Sequence, residues 1–350
     1  MAGLSDAAAT AAKLAGPIKK VVDRRDLSED ESYRAMLAIM SGEATDAQIA
    51  GFITALRMKG ETAEEITGCA RAMREKATKI DPGPSPHDVL DTCGTGGTGR
   101  STFNISTAAA LIVAGAGVKV AKHGNRSVRI GSADVLKELG VNLDATPAVV
   151  EHCLREANIG FLFAPKLHAA MKFAIGPRRE LGIRTVFNIL GPLTNPAGAK
   201  CQLLGVYDEK LTGVMANVLR MLGSKHCFVV HAADGLDEIS TTSATHVAEL
   251  ADGAVREYEI EPQQFGVPTC AMGDLCVHSV QESAVVIRAV LAGEQGCKRD
   301  IALLNAAAGL AAAGAAKDIQ EGLKLAAESV DKGRAGKALE RLVLVSNEAV

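Results

Sequence analysis

Asp91-Thr92-Cys93-Gly94-Thr95-Gly96-Gly97-Thr98-Gly99-Arg100-Ser101-Thr102-Phe103-Asn104-Ile105-Ser106-Thr107 is the stretch on which the fold turns. Val89 to Cys93, at its start, reads as a short strand. The apolar run Ala108 to Gly117, after it, reads as a helix. The pattern is strand, Gly-rich turn, helix start. Small residues free backbone N–H groups, and a helix N-terminus adds positive potential, so this segment predicts an anion seat for a phosphate-bearing ligand. The Ser, Thr and Asn side chains beside the glycines add donors that a plain turn does not need.

Two common phosphate motifs do not fit. Gly94-x-Gly96-x-x-Gly99 has the spacing of a dinucleotide fingerprint. That fingerprint needs an acidic residue about 20 positions on, to hold a ribose hydroxyl. The next strand, 117–121, ends instead in Lys122-His123-Gly124-Asn125, with cations in place of the acid. This argues against a nicotinamide or flavin cofactor. A nucleotide P-loop is excluded because no Gly-Lys-Ser/Thr closes the turn.

Working outward, residues 18–80 read as helices. Ser28-Glu29-Asp30-Glu31 is a capping box, and Thr45 and Thr62 open two more helices with acidic first turns. Ile49, Phe52, Ile53 and Leu56 recur at helical spacing. Asp81-Pro82-Gly83-Pro84-Ser85-Pro86 is a linker. Short β runs then alternate with helices, at 88–93, 117–121, 159–164, 203–207, 226–231 and 254–260. That alternation predicts an α/β fold with a mainly parallel central sheet. A helical, Pro-marked insertion interrupts it at 166–196, with helices expected at Ala169–Ala174 and Pro177–Leu181. The last 70 or so residues are helical again.

Composition narrows the function classes. The chain has 350 residues, 47% hydrophobic but only 3% aromatic, so its core is built from Ala, Val, Leu and Ile. A net charge of −3 gives no footprint for nucleic acid. Eight scattered cysteines lack zinc-type spacing and read as reduced thiols in a cytoplasmic protein. The apolar runs near 108–118 and 306–316 are short and Gly-interrupted, so no membrane span is expected.

Four patches carry chemistry. The first is the Gly loop, where Ser106 and Thr107 stand where caps or metal-facing hydroxyls would stand. The second is Lys122 to Asp134, which follows the next strand and brings Lys122, Arg126 and Arg129 to the same sheet edge. The third runs from Phe163 through Pro165 and His168 to Arg178, Arg179 and Asn188 to Pro196; an Arg fork there suits a planar carboxylate, though surface ion pairs fit the spacing as well. The fourth is Asp234-Gly235-Leu236-Asp237-Glu238 after the apolar strand 226–230, a pair of carboxylates placed to anchor Mg2+ beside a pyrophosphate.

Together these motifs resemble the anthranilate phosphoribosyltransferases of tryptophan biosynthesis, from about Asp26 to Leu342. The specific matches are Gly94-Thr95-Gly96-Gly97, Asn104-Ile105-Ser106-Thr107, Lys122-His123-Gly124-Asn125, Arg178 to Pro196, and Asp234 to Glu238. The resemblance implies a nucleoside phosphorylase-like fold. A small helical domain, 1–82, would be joined in space by 166–196 and sit beside a large α/β domain, 83–350. It also implies a cytoplasmic homodimer. The expected reaction is Mg2+-dependent transfer of the phosphoribosyl group of 5-phosphoribosyl 1-pyrophosphate (PRPP) to the amine of anthranilate, with no side chain as general acid or base.

The resemblance assigns residues as well. Gly94, Gly97, Thr98, Thr102, Asn104, Ile105, Ser106 and Thr107 would hold PRPP from the first loop. Lys122, His123, Gly124, Asn125, Arg126 and Ser132 would hold it from the second. Ser106, Asp237 and Glu238 would meet Mg2+. Gly94, Asn125 and Arg178 would contact anthranilate, with Pro165 and His168 lining its approach. Thr98 stands where the family usually has Asp, which shifts the metal load to Asp237 and Glu238. The loop before Gly131 is about two residues shorter than usual, with only Arg129-Ile130 between Val128 and Gly131. The alternatives are a pyrimidine-nucleoside phosphorylase of the same fold and a non-catalytic nucleic-acid-binding paralogue. Asp237-Glu238 and the Asn188 to Pro196 stretch favour the transferase.

Overall fold

The computed structural model describes residues 13–97, 99–127 and 130–348. Its N-terminal part is helical, as the caps predict. Ser28, Thr45 and Thr62 open the helices Glu29–Met40, Asp46–Lys59 and Ala63–Lys76, each with a complete capping box closed by Glu31, Gln48 or Glu65. Two orphan N–H groups are satisfied at each start. The first and third of these helices cross closely at Gly68, where a Cβ would stand 2.2 Å from the Glu29 carbonyl oxygen. Glu65 is buried and accepts from Leu27 N, Thr62 N and Lys59 Nζ, each at 2.9 Å. A buried carboxylate needs such a full set of partners.

Among the described residues the central sheet has seven strands: β1 Leu90–Gly94, β2 Val120–Gly124, β3 Ile159–Phe163, β4 Cys201–Gly205, β5 His226–Ala232, β6 Thr245–Ala251 and β7 Ala254–Ile260. Their order is β3-β2-β1-β4-β5-β6-β7. The first five run parallel, and β6 and β7 are antiparallel. The mainly parallel sheet is therefore as expected, and six of its strands fall on or near the expected runs. The seventh, β6, was not expected. His246, Ala248 and Glu249 have weak strand preference, which hides it. Its signal is Asp252-Gly253, both at positive φ, the two-residue turn that favours a hairpin.

Helices cover both faces, as alternation along the strands requires. On β5, Phe228 and Val230 enter the core that holds the helices Ile105–Gly115 and Cys297–Ala312. Cys227 and Val229 point the other way, into a core shared with Leu219 of helix Leu211–Met221 and with Phe52 and Leu56 of the N-terminal helices. Phe187, Leu190 and Leu193 of the 166–196 insertion join that second core.

Two expectations are corrected. Pro177 does not open a helix: it lies inside a continuous helix, Lys172–Leu181, preceded by a 3-10 turn at Ala169–Met171. A missing N–H costs the helix one bond there, and Gly182, at φ 62°, ends it one turn later. The cysteines are not all reduced thiols, because Cys270 and Cys297 form a disulfide. They are 27 residues apart in sequence, so local spacing gave no sign of the pairing. The loop before Leu275 folds back onto the start of helix Cys297–Ala312.

Candidate active site

β1 and β2 are parallel neighbours. Their carboxyl ends set the Gly loop and the Lys122 loop side by side, around a cleft of about 580 Å³. Gly94, Gly97, Thr102, Asn104, Ile105 and Ser106 line one wall. Lys122, His123, Gly124, Asn125, Arg126 and Ser132 line the next, and Asp237 and Glu238 close the floor. Thr98 and Arg129 lie outside the described residues.

Thr107 does not line the cleft: it is fully buried beneath the first helical turn, and its hydroxyl has no hydrogen-bond partner among the described residues. Alternation of the helix surface turns Ser106 outward and Thr107 inward. Asn104 is the N-cap of the helix but makes no side-chain cap. Its amide oxygen instead accepts from Ser283 Oγ at 3.0 Å, and its Nδ2 donates to Ile130 O at 3.3 Å.

Beneath the cleft lies a buried polar layer. Lys122 Nζ donates to Thr92 O at 2.6 Å and reaches Ser106 Oγ at 3.2 Å. Burial lowers the pKa of this ammonium. Asp91 is fully buried and accepts from His123 N at 3.0 Å and Asn195 Nδ2 at 2.8 Å. Burial pushes its carboxyl up to about 6.

The carboxylate pair is reached through glycines. Gly94 and Gly205 are register partners on β1 and β4. A Cβ on Gly94 would stand 2.6 Å from Asp237 Oδ2, and one on Gly205 would overlap the Asp237 backbone. Only glycine leaves room for Asp237 to enter at both positions. Its Oδ2 accepts from Gly96 N at 3.2 Å, and Glu238 Oε1 accepts from Ser106 N at 3.2 Å. Burial, then the Asp237 charge, pushes Glu238 up to about 8, and burial raises Asp237 as well. Two recessed carboxylates side by side are poorly compensated, and a divalent cation would relieve both.

His123 links this cleft to a second patch. Its Nδ1 lies 3.1 Å from Gly191 O, and its Nε2 lies 3.1 Å from His168 Nε2. A carbonyl only accepts, so His123 carries its proton on Nδ1. His123 Nε2 is then an acceptor, His168 donates from Nε2, and His168 Nδ1 is left as an acceptor. Pro165 is exposed just past the end of β3, on Ala164–Leu167. Arg178 is half-buried, with its guanidinium 5.1 Å from the Phe187 ring centre. Pro165, His168 and Arg178 do not line the Gly-loop cleft; His168 reaches it through His123.

Comparison with known proteins decides the family. Residues 17–77 match the helical bundle domain of the glycosyl transferase family, and 86–336 match its a/b domain. The chain is 56% identical over 346 residues to the anthranilate phosphoribosyltransferase of Citrifermentans bemidjiense, covering 95% of this chain and 98% of that one. The chain belongs to the anthranilate phosphoribosyltransferase family. The Geobacter sulfurreducens member is 55% identical over 345 residues, covering 95% of this chain and 99% of its own. The fold matches the crystal structure of anthranilate phosphoribosyltransferase from Thermus thermophilus with a TM-score of 0.90 at 41% identity, covering 95% and 99% of the two chains. It matches the Saccharomyces cerevisiae anthranilate phosphoribosyltransferase in complex with PRPP and Mg with a TM-score of 0.86 at 29% identity, covering 96% and 98%.

For a member of this family, sequence reading missed several contributors. Asn195 and Asp91 hold the cleft's underside, and Gly205 admits Asp237. Arg100 Nη2 donates to Asp234 O at 2.7 Å, fastening the Gly loop to the carboxylate turn. Arg184 Nη2 donates to Gly97 O at 2.6 Å. Asn195 and Arg184 lie within the Arg178 to Pro196 match, but nothing in spacing tells which polar residues of such a stretch turn inward.

The histidine pair generates a pH dependence. Burial holds His123 down at about 3 and His168 at about 4. The unfolded chain binds these protons below about pH 6.5, whereas the folded chain does not until much lower pH. The unfolded state therefore holds more protons in that window, and stability is lost as pH falls through it. Asp91 acts the other way, because its raised carboxyl keeps a proton in the folded chain up to about pH 6. His168→Asn should make the fall in stability between pH 6.5 and 4.5 shallower, by about 2–3 kcal/mol in total. Melting temperatures of the two proteins across that range check this, and parallel curves would contradict it.

Proposed function

We propose that the chain transfers the phosphoribosyl group of PRPP to the amine of anthranilate and releases pyrophosphate, as a step in tryptophan biosynthesis. The observation that carries this reading is the meeting of an N–H-rich loop and a recessed carboxylate pair on one cleft, in a chain 56% identical to an enzyme of that name.

The Gly94 to Gly97 turn and the Ser106 hydroxyl at the helix start would hold the pyrophosphate. Lys122, tied to Thr92 and Ser106, adds positive potential beneath it. The ribose C1–O bond breaks with positive charge building on the ring, and the anthranilate nitrogen forms the new bond to C1. That nitrogen then loses its proton to solvent, and the electron pair of the broken bond leaves with pyrophosphate. The aromatic amine is already a neutral nucleophile, so positioning and leaving-group stabilisation carry the rate.

Asp237 and Glu238 suit Mg2+. Among the described residues no cluster of three or more His, Cys, Asp or Glu side chains forms an all-protein cage. Mg2+ is ordinarily held by one or two carboxylates together with substrate phosphates. Asp237 and Glu238 would hold it, with Ser106 beside Glu238, and it would neutralise charge on the leaving pyrophosphate. Anthranilate would lie toward Arg178, with Gly94 and Asn125 in contact and Pro165 and His168 along its approach. A homodimer through the N-terminal helices is what the family resemblance implies.

The primary test is pyrophosphate release that requires both PRPP and anthranilate. Cleavage of thymidine by inorganic phosphate without that activity would favour the phosphorylase instead. Asp237→Asn with Glu238→Gln should raise the Mg2+ requirement and lower turnover about 100-fold or more, with the fold intact. Unchanged activity across a Mg2+ titration would remove the pair from the metal site.

Arg178→Ala should raise the anthranilate KM about 10- to 100-fold while the PRPP KM moves little, because a charged hydrogen-bond partner is worth roughly 1.5–3 kcal/mol. Arg178→Lys should recover only part, since an ammonium lacks the planar fork. Equal losses for both substrates with a lowered melting temperature would instead mean that Arg178 serves the packing against Phe187.

A further inference from the structure

Among the described residues, four hydrogen bonds tie the turn at Thr95, Gly96 and Gly97 to segments outside it. Thr95 N donates to Gly205 O at 2.8 Å, and Tyr207 N donates to Thr95 Oγ1 at 3.0 Å. Gly96 N donates to Asp237 Oδ2, and Arg184 Nη2 donates to Gly97 O. The first three come from loops at the ends of the sheet's own strands. The fourth comes from the 166–196 insertion, which also carries Arg178.

Arg184 is braced for that contact. Its guanidinium lies 4.2 Å from the centre of the Tyr207 ring. Tyr207 is in turn keyed to Thr95, two residues before the carbonyl that Arg184 holds. Arg184 is not on the cleft wall, whereas Gly97 is. Gly97 has φ +82°, a region open to glycine, so its flanking peptides are free to rotate unless fastened. Rotation of the Gly97 carbonyl would turn its oxygen toward the pyrophosphate seat, where it would repel the anion.

We infer that Arg184 is a positioning residue: a latch that holds the Gly97 carbonyl away from the pyrophosphate seat and ties that seat to the segment carrying Arg178. The path runs from Gly97 to Arg184, along three residues to Phe187, and across its ring to Arg178. The inference rests on the reading that PRPP binds against the Gly loop. It adds that the anthranilate-side segment sets the loop's shape. Arg184 needs both of its features: the donor fastens the carbonyl, and the planar cation on Tyr207 fixes the donor's direction.

Kinetics of four variants test the latch. Arg184→Ala should raise the PRPP KM roughly 10- to 50-fold and lower kcat, with the melting temperature within about 2 °C of wild type. Arg184→Lys keeps a donor but not the planar stack, and should recover only part. Tyr207→Leu should give a smaller rise in PRPP KM. The double variant Arg184→Ala, Tyr207→Leu should be no worse than Arg184→Ala alone, because both act through one contact. A PRPP KM within about twofold of wild type in Arg184→Ala would overturn the latch. So would additive losses in the double variant, or a lowered melting temperature with both KM values unchanged. Wild-type protein that releases no pyrophosphate would defeat the activity reading itself. An active wild type with an indifferent Arg184→Ala variant defeats only the latch.

Discussion

A buried acid and a buried base lie under the ends of β1 and β2, and the cleft is arranged around them. Asp91 and Lys122 are both buried, and burial works against the charge of each. Such groups persist only where hydrogen bonds compensate them. Asp91 finds these bonds in His123 N and Asn195 Nδ2, which pins the β2 loop and the end of the insertion to β1. Lys122 finds them in Thr92 O and Ser106 Oγ, which pins the helix start over the strand. The satisfied pair thus fixes where the N–H groups of the first turn point.

The second constraint is steric. Gly94 and Gly205 sit in register on neighbouring strands and leave a notch that Asp237 fills. Because the notch holds the backbone of the carboxylate turn, Asp237 and Glu238 cannot drift from the Gly loop. Asp237 Oδ2 and Glu238 Oε1 each accept one loop N–H. The remaining capacity of these oxygens, and the upward push on their pKa values, is what a cation bound with pyrophosphate would answer.

Much of this was legible in the sequence because it is local. Capping boxes at Ser28, Thr45 and Thr62 act within four residues, and strand–turn–helix texture gave six of the strands and the cleft's two loops. The matches to a known family then named most of the residues that line the cleft. What escaped depends on contacts far apart in the chain. Thr107 looks like Ser106 until the helix phase is known. Cys270 meets Cys297 only once the loop before Leu275 has folded back. Arg184 looked like any charged residue, and its target, Gly97, is 87 positions away. β6 was hidden by the weak strand preference of His246, Ala248 and Glu249, though the Asp252-Gly253 turn marks its end.

The central claim is that PRPP sits between the Gly loop and the Lys122 loop, with its metal on Asp237 and Glu238. A crystal soaked with PRPP and Mn2+, measured for anomalous scattering, tests it most directly. The pyrophosphate should lie against the Gly94 to Gly97 turn and Ser106, with an anomalous peak within coordination distance of the Asp237 or Glu238 carboxylate. Pyrophosphate bound away from the Gly loop, or a peak that touches neither carboxylate, would contradict it.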